Sequence, residues 1–254
     1  MTIRTTLIIT AITMSTVLSI ILAILFFFEA KERIIEGYVE KARSVVLSAE
    51  STREEMEDKW EKGLFTVEQL REYANKNEKE KLLAAVPVVT AWQAAMKKSK
   101  EGGYTFKTPK FEPRNPKNQP DPVEADAINY LKQSKADEYY MIDGAMNAIR
   151  YFRPVVLSER CMYCHGNPSL SKKYWDNDRG LDALGKKMEG WSVGSIHGAF
   201  EVVQSLDGAD QKVMTMLFKI ILFVVIILAV SGLLFYFTLE KLENHQMMDR
   251  GALT

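Results

Sequence analysis

The sequence contains few cysteines and histidines, and it has no excess of charge of either sign. It contains two cysteines and three histidines among 254 residues, and 33 basic side chains balance 33 acidic ones. Nucleic-acid-binding domains carry a clustered basic surplus, so we expect no nucleic-acid partner. A structural zinc site normally takes four nitrogen or sulfur ligands, and few such residues are present. No internal repeat is evident.

Charge is absent from two long stretches near the ends of the chain. Residues 5–28 are 24 consecutive uncharged residues, and residues 220–239 are 20 more. Each stretch is long enough to cross a hydrocarbon core of ~30 Å as a helix. A cleaved signal peptide is the alternative for the first stretch, but it is longer than a usual signal and lacks a small-residue cleavage site. We therefore interpret it as an uncleaved membrane anchor.

Both cysteines lie in one motif, Cys161-x-x-Cys164, and His165 follows directly. This spacing is the attachment signature of a c-type haem, in which two thiols add to the vinyl groups and the histidine binds the iron. A zinc half-site would lack further ligands. A thioredoxin-like pair would open a helix, which Gly166 and Pro168 would break early. We predict one covalent haem c, with His165 as a metal ligand.

The ligand opposite His165 is left open by the sequence: methionine, histidine, water or none. Thiolate is excluded because there is no third cysteine. Met56 and Met96 lie on predicted helices, and a methionine ligand would raise the reduction potential and favour electron transfer. Either methionine could instead fill core, the commoner role. His197, just before the last predicted strand, is a further candidate.

Aromatic and basic residues near the motif are candidates for the cofactor pocket. Tyr151 and Trp191 could wall the haem, although ordinary core packing explains such residues equally well. Arg153 could pair bidentately with a haem propionate, or it could lie on a solvated strand face. These residues are predicted as cofactor-binding, and no catalytic residue is predicted.

The order of helices and strands predicts an α+β fold. Apolar residues at three-to-four spacing predict a helix over residues 30–62 that continues from the first apolar stretch. Further helices are predicted at 67–73, at 79–99 with an interruption near Pro87, and at 123–135 with Asp121 as N-cap. Strands are predicted at 104–107, 139–142, 148–157 and 198–203. We expect an antiparallel sheet with a long N-terminal helix, flanked by two transmembrane helices.

Several stretches together resemble a known family. They are PVV (87–89) with AW (91–92), GYxF (103–106) with PK (109–110), RNPKN (114–118), RPVV (153–156), CxxCHG (161–166), and KMEGW (187–191) with HGA (197–199). This combination resembles the periplasmic c-type haem, PAS-like sensor domains of bacterial chemotaxis receptors and sensor kinases. The resemblance spans about residues 31–206. It implies a PAS-like sheet, haem on Cys161 and Cys164, His165 as axial ligand, and a homodimer.

Haem attachment to this motif takes place outside the cytoplasm in bacteria, which predicts a periplasmic domain in a two-pass inner-membrane protein. The predicted divisions are a cytoplasmic N-terminus at 1–4, a transmembrane helix at 5–28, a periplasmic haem domain at 29–212, a transmembrane helix at 213–239 and a cytoplasmic tail at 240–254. A tail of this size holds no output domain, so we expect a separate signalling or redox partner protein.

Two functions follow from these expectations, and neither is enzymatic. The first is a membrane-anchored haem sensor of redox state or of a small gaseous ligand. The alternative is a membrane-tethered single-haem electron carrier, or a haem subunit of a larger membrane complex. A third option is a scaffold that has kept the fold without haem. Absorption spectra with and without NO distinguish the first two.

Overall fold

The computed structural model describes residues 3–251, with side chains described for residues 6, 7 and 9–241. The helices are α1 (Ile3–Glu61), α2 (Val67–Asn75), α3 (Lys79–Ala84), α4 (Pro87–Lys97), α5 (Ser99–Gly102), α6 (Pro122–Ser134), α7 (Met162–His165), α8 (Ser171–Trp175) and α9 (Asp207–Gly251). The strands are β1 (Thr105–Lys107), β2 (Tyr139–Asp143), β3 (Ala148–Val156) and β4 (Ile196–Ser205). Single 3-10 turns cover Pro116–Asn118, Glu159–Cys161 and Pro168–Leu170.

The described residues form two compact units. One contains those up to residue 36 and from 207 onward, and the other contains residues 37–206. In the first unit, α1 and α9 are long and apolar enough to cross a membrane, judged by length and composition. The predicted continuity of the first apolar stretch with the helix that follows is confirmed, since α1 has no break. Of the predicted cytoplasmic ends, residues 1–2 and 252–254 lie outside the described residues.

The second unit is built on a four-stranded antiparallel sheet in the order β1-β4-β3-β2. The central pair aligns Tyr151 with Val202 and Pro154 with Ala199, with an irregularity between Val155 and Val156. The predicted antiparallel sheet and the long N-terminal helix are therefore confirmed. β4 is longer than the predicted strand at 198–203. It pairs with β1 on one side and with β3 on the other, and this pairing extends the strand beyond its most apolar residues.

Alternation along β3 sends successive side chains to opposite faces of the sheet. On one face, Arg153 pairs with Glu50 of α1, with 3.0 Å between Nε and Oε2. On the other face, Phe152 packs in a buried cluster with Ile128 and Leu131 of α6. The sheet therefore lies between α1 and α6.

Helix α6 begins where the sequence predicts. Asp121 accepts from the Glu124 amide at 2.8 Å, and the Glu124 carboxylate accepts from the Asp121 amide at 2.6 Å. This reciprocal capping box satisfies two amides that the first helical turn leaves without partners. Pro122 occupies the first turn, where its missing N–H costs no hydrogen bond.

A buried ionic network joins the start of α6 to the sheet. Arg150, 2% exposed, donates from Nε to Glu201 at 2.7 Å and from Nη2 to Asp121 at 2.8 Å. Its Nη2 also lies 3.3 Å from Glu124, and Lys107 pairs with the same glutamate. Glu124 and Glu201 are 1% and 0% exposed, so the two carboxylates share a dry site with few counter-charges. Burial and the neighbouring Glu124 raise the pKa of Glu201 to about 8.

Substituting Glu201→Gln is expected to stabilise the protein near neutral pH. The unfolded carboxyl ionises near pH 4.3, so between there and about pH 8 the folded chain binds the extra proton. Stability from this group is thus fully present below about pH 4.3 and is lost as the pH rises through about 8. The variant, which cannot ionise, should show a flatter melting temperature between about pH 5 and about pH 9. A pH profile that matches the wild type would contradict this. The exposed Glu112→Gln variant is the control.

Candidate cofactor site

The Cys161–His165 motif occupies a short helical segment after β3. Cys161 ends a 3-10 turn, and α7 then makes a single turn that stops at His165. A Cβ on Gly166 would lie 2.5 Å from the carbonyl oxygen of Met162, so only glycine fits at the position where the chain leaves α7. The early end of the helix, predicted from Gly166 and Pro168, is confirmed.

Neighbouring side chains hold the backbone of the motif in place. Trp175 donates from Nε1 to the carbonyl oxygen of Tyr163 at 2.7 Å, and Arg114 donates from Nη2 to that of Cys164 at 2.8 Å. The rings of Trp60 and Tyr163 pack with centroids 5.7 Å apart. Helix termini leave carbonyl groups without helical partners, and these bonds satisfy two of them.

All three chemically active side chains of the motif line one cavity of about 660 Å³. This volume falls within the range of roughly 300–1,000 Å³ that is usual for cofactor and ligand sites. Around the motif, the wall is formed by α1, by the α3–α4 corner and by the proline-rich loop before α6. The start of β4 and the segment that precedes β4 also contribute to the wall. The cysteines are not joined to each other. Burial raises the pKa of the Cys164 thiol to about 12, so this sulfur is protonated at neutral pH.

The imidazole of His165 is oriented by a carboxylate. Its Nδ1 lies 2.8 Å from Oε2 of Glu189, and its ring stacks on Trp191 with centroids 4.7 Å apart and an angle of 9° between the planes. Burial lowers the pKa of His165, which favours the neutral ring. An ionised carboxylate only accepts hydrogen bonds, so Nδ1 carries the proton. Nε2 makes no hydrogen bond within the part of the chain that the structure describes, and it is the atom left for a ligand.

Arg114 holds Glu189 from its other side. Its Nε donates to Oε1 at 2.7 Å and its Nη2 to Oε2 at 2.9 Å, while Asp182 accepts from Nη1. Burial raises the pKa of Glu189, but the hydrogen bonds from His165 and Arg114 outweigh it and hold the pKa at about 2. Sequence reasoning gave neither residue a role. Both lie in stretches that carry the family resemblance, 114–118 and 187–191, which was the available signal.

The loop that carries Arg114 crosses close to Gly198 at the start of β4, and this crossing brings the loop to the site. A Cβ on Gly198 would lie 2.6 Å from the carbonyl oxygen of Pro109, so only glycine fits this crossing. The crossing places the Lys110 ammonium 4.3 Å from the centroid of the Trp191 ring. Burial lowers the pKa of Lys110 to about 8. Arg53, on α1, also lines the cavity, and its buried Nε has no hydrogen-bond partner among the described residues.

The structure brings some of the predicted site residues together and not others. Trp191 lines the cavity with the motif, as does His197, whose ring stacks on Trp191 at 4.1 Å. Tyr151 and Arg153 do not line it. They lie on the sheet face that packs against α1, where the Tyr151 hydroxyl donates to Glu138 and Arg153 pairs with Glu50. Residues nearer the end of the strand line the cavity instead, among them Val155 and Leu157.

The two methionines predicted as iron ligands also lie off the cavity wall. Met56 is buried on α1, but the cavity-lining positions of that helix are Arg53, Glu57 and Trp60. Met96 is 47% exposed, one turn beyond the last cavity-lining residues of α4. Both methionines lie on helices that contribute to the wall, but Met56 does not line the cavity and Met96 lies beyond its edge. Helical spacing alone does not say which positions of a helix meet the motif.

The fold and site together define an α+β domain that presents a C-x-x-C-H motif on the wall of a cavity. The family model described as Tll0287-like matches residues 31–205. The match covers more than half of the chain, which therefore belongs to the Tll0287-like family. Among solved structures, the cyanobacterial heme-protein Tll0287 is similar, with 18% identity over 58% of this chain and 95% of that chain and a TM-score of 0.37. Comparison with curated proteins gave no match.

Proposed function

We propose that the chain binds one haem c, through thioether bonds to Cys161 and Cys164 and with His165 as an axial ligand. The observation that carries this proposal is the convergence of these three side chains on one cavity while Nδ1 of His165 is already engaged. In each attachment, an S–H bond and a vinyl π bond are replaced by S–C and C–H bonds, so no oxidant is needed. Haem iron held there by His165 would supply a one-electron couple and could bind a further ligand.

Two further observations support this cofactor. The family is named for Tll0287, a protein whose solved structure is described as that of a cyanobacterial heme-protein. The cavity wall also holds cations suited to haem propionates. The buried Nε of Arg53 lies 3.6 Å from Glu57 but has no hydrogen-bond partner among the described residues, and Lys110 lies beside Trp191. We assign them the propionate-binding role predicted for Arg153, because they line the cavity and Arg153 does not.

We propose that the protein senses redox state or a small haem ligand such as NO, in a PAS-like domain. No methionine lines the cavity among the described residues, which disfavours the methionine-ligated iron of many electron carriers. A change in charge or ligation beside His165 would act on the wall that α1 contributes through Arg53, Glu57 and Trp60. A signal requires that the ligand or electron bind two conformations with different affinity. Because α1 runs without a break from the first apolar stretch to Glu61, it is the element best suited to transmit a change of conformation at the cavity.

A single-haem electron carrier is the second candidate, and His197 is the observation that favours it. Its ring lines the cavity and stacks on Trp191, 4.1 Å between centroids. A second histidine ligand would fill the position opposite His165 and leave no place for an added ligand. In that case, Trp191 would pack against the rings of both histidines.

We also propose that the protein lies in the inner membrane with its haem domain in the periplasm. Two helices with the length and composition of membrane spans, together with a cofactor that is attached outside the cytoplasm in bacteria, support a two-pass inner-membrane protein with a periplasmic domain. We further propose a homodimer and a separate partner protein that reads the signal or accepts the electron.

Absorption spectroscopy of the full-length protein, purified in detergent after co-expression with a cytochrome c maturation system, tests the proposal. We expect an intact mass increased by one haem, a c-type spectrum in both oxidation states, and a change in the ferrous spectrum when NO is added. A haem-free mass would contradict the cofactor. A low-spin six-coordinate iron that ignores NO and CO would contradict ligand sensing, and restored NO binding in His197→Ala would then identify the carrier's second ligand.

A further inference from the structure

The imidazole of His165 is fixed by its neighbours before any cofactor is considered. The backbone amide of Trp191 donates to the carbonyl oxygen of His165 at 2.8 Å, and that of Gly190 donates to Gly166 at 3.1 Å. These two bonds hold residues 189–191 alongside the end of α7. The Glu189 carboxylate is thereby held against Nδ1 and the Trp191 indole against the ring face. The backbone therefore places Glu189 and Trp191 beside His165, and the hydrogen bonds from Arg114 fix the Glu189 carboxylate.

One oxygen of Glu189 accepts from two donors of different character. Oε2 lies 2.8 Å from Nδ1 of His165 and 2.9 Å from Nη2 of Arg114. The first contact joins the carboxylate charge to the imidazole, while the second withdraws charge from the same oxygen. Arg114 is itself shared with Asp182 and with the carbonyl oxygen of Cys164, so its guanidinium is fixed relative to the motif.

We propose that Glu189 is a positioning residue that sets the electron-donating strength of His165 as an iron ligand, and that Arg114 attenuates it. The inference rests on the proposed function. A carboxylate that accepts from the distal nitrogen of a metal-bound imidazole fixes the tautomer and makes the ring a stronger donor. A stronger donor stabilises ferric over ferrous iron. The pair Glu189–Arg114 therefore sets the potential at which the site changes oxidation state.

The two residues should act in opposite directions. The Glu189→Gln variant keeps an acceptor of the same shape for Nδ1 but removes the negative charge, which favours ferrous iron. The Arg114→Gln variant leaves the Glu189 charge uncompensated, which favours ferric iron. Loss of packing alone has no reason to move the reduction potential up in one variant and down in the other. The opposition of sign therefore excludes a packing effect, and the iron–imidazole stretching frequency distinguishes a change in donor strength from the field of the charges alone.

The test is a redox titration of the haem-loaded full-length protein and its variants. For Glu189→Gln we expect the ferric-to-ferrous equilibrium to shift about tenfold toward ferrous iron, a midpoint about 59 mV higher for a one-electron couple. Its ferrous iron–imidazole stretching frequency should fall in resonance Raman spectra, because the ligand is a weaker donor. For Arg114→Gln we expect a lower midpoint. Glu112→Gln, which removes an exposed carboxylate from the proline-rich loop, should leave both measurements unchanged.

The outcomes separate this inference from the proposed function. A wild-type protein without covalent haem overturns both. A haem-loaded Glu189→Gln variant with an unchanged midpoint and stretching frequency overturns this inference alone. If that variant does not fold, the Arg114→Gln measurement decides, and a midpoint equal to or above that of the wild type overturns the inference.

Discussion

Replacing Arg150 with methionine is expected to lower the free energy of unfolding by about 3–5 kcal/mol. The guanidinium is 2% exposed and donates to Glu201 at 2.7 Å and to Asp121 at 2.8 Å. Methionine fills much of the same volume but leaves the ionised Glu124 carboxylate buried without one of its two counter-charges, and it removes the hydrogen-bond donor to Glu201. A broken buried ion pair costs more than an intact one contributes, because the remaining charge is left desolvated. Chemical denaturation of the full-length protein, followed by circular dichroism, measures the loss.

Two further variants distinguish this mechanism from a general effect of removing arginine. The exposed Arg179→Met variant, for which the structure describes no ion pair, should change stability by no more than about 0.5 kcal/mol. Adding Glu124→Gln to Arg150→Met should recover part of the loss, because a neutral amide needs no counter-charge and the two sites are in direct contact. An Arg150→Met loss no larger than that of Arg179→Met would contradict the network's role.

Local patterns in the sequence predicted the parts of the fold that local forces determine. The apolar face of α1, the N-cap at Asp121, and the interruption at Pro87 each depend on residues within a few positions of one another. The α3–α4 break lies where Pro87 begins a new helix, since proline fits a first turn and not a helix interior. The structure confirms these elements with boundaries shifted by a few residues.

Contacts between distant parts of the chain were not predictable in the same way. β1 pairs with β4 across almost the whole domain, and Arg114 meets Glu189 from 75 positions away. Such pairs are chosen by the packed fold, because a charged residue in a loop has many acceptable partners until the loop is placed. The family resemblance identified the stretches that contain Arg114 and Glu189, but not their contact.

The predicted haem wall shows the same limit at the scale of one strand. Alternation along β3 correctly implies that Tyr151, Arg153 and Val155 share a face. The alternation does not say that α1 covers Tyr151 and Arg153, the latter through Glu50. Nor does it say that the cavity begins at Val155. The C-x-x-C-H motif was predictable because its chemistry requires fixed spacing along the chain. Its surroundings have no such requirement.

Replacing Cys161 and Cys164 together with alanine is expected to abolish covalent haem attachment completely. Each thioether bond needs one cysteine sulfur, and the two thiols of the motif are the only cysteines in the chain. Each single variant should retain at most one thioether, and its reduced spectrum should shift because one vinyl group stays unsaturated. Intact mass after co-expression with a maturation system measures attachment directly. His165→Ala, which keeps both thiols but removes the ligand, separates attachment from iron coordination.

Thiol labelling gives the same prediction an independent readout. Because the chain has two cysteines, the denatured haem-free protein should take up two labels and the fully matured protein none. Burial raises the pKa of Cys164 to about 12, so in the folded haem-free protein this thiol should react much more slowly than it does after denaturation. The control is the Cys161→Ala variant, whose single remaining label reports Cys164 alone. Two labels on denatured protein that has passed through maturation would contradict covalent attachment, and the cavity beside His165 would then have to hold its ligand without thioether bonds.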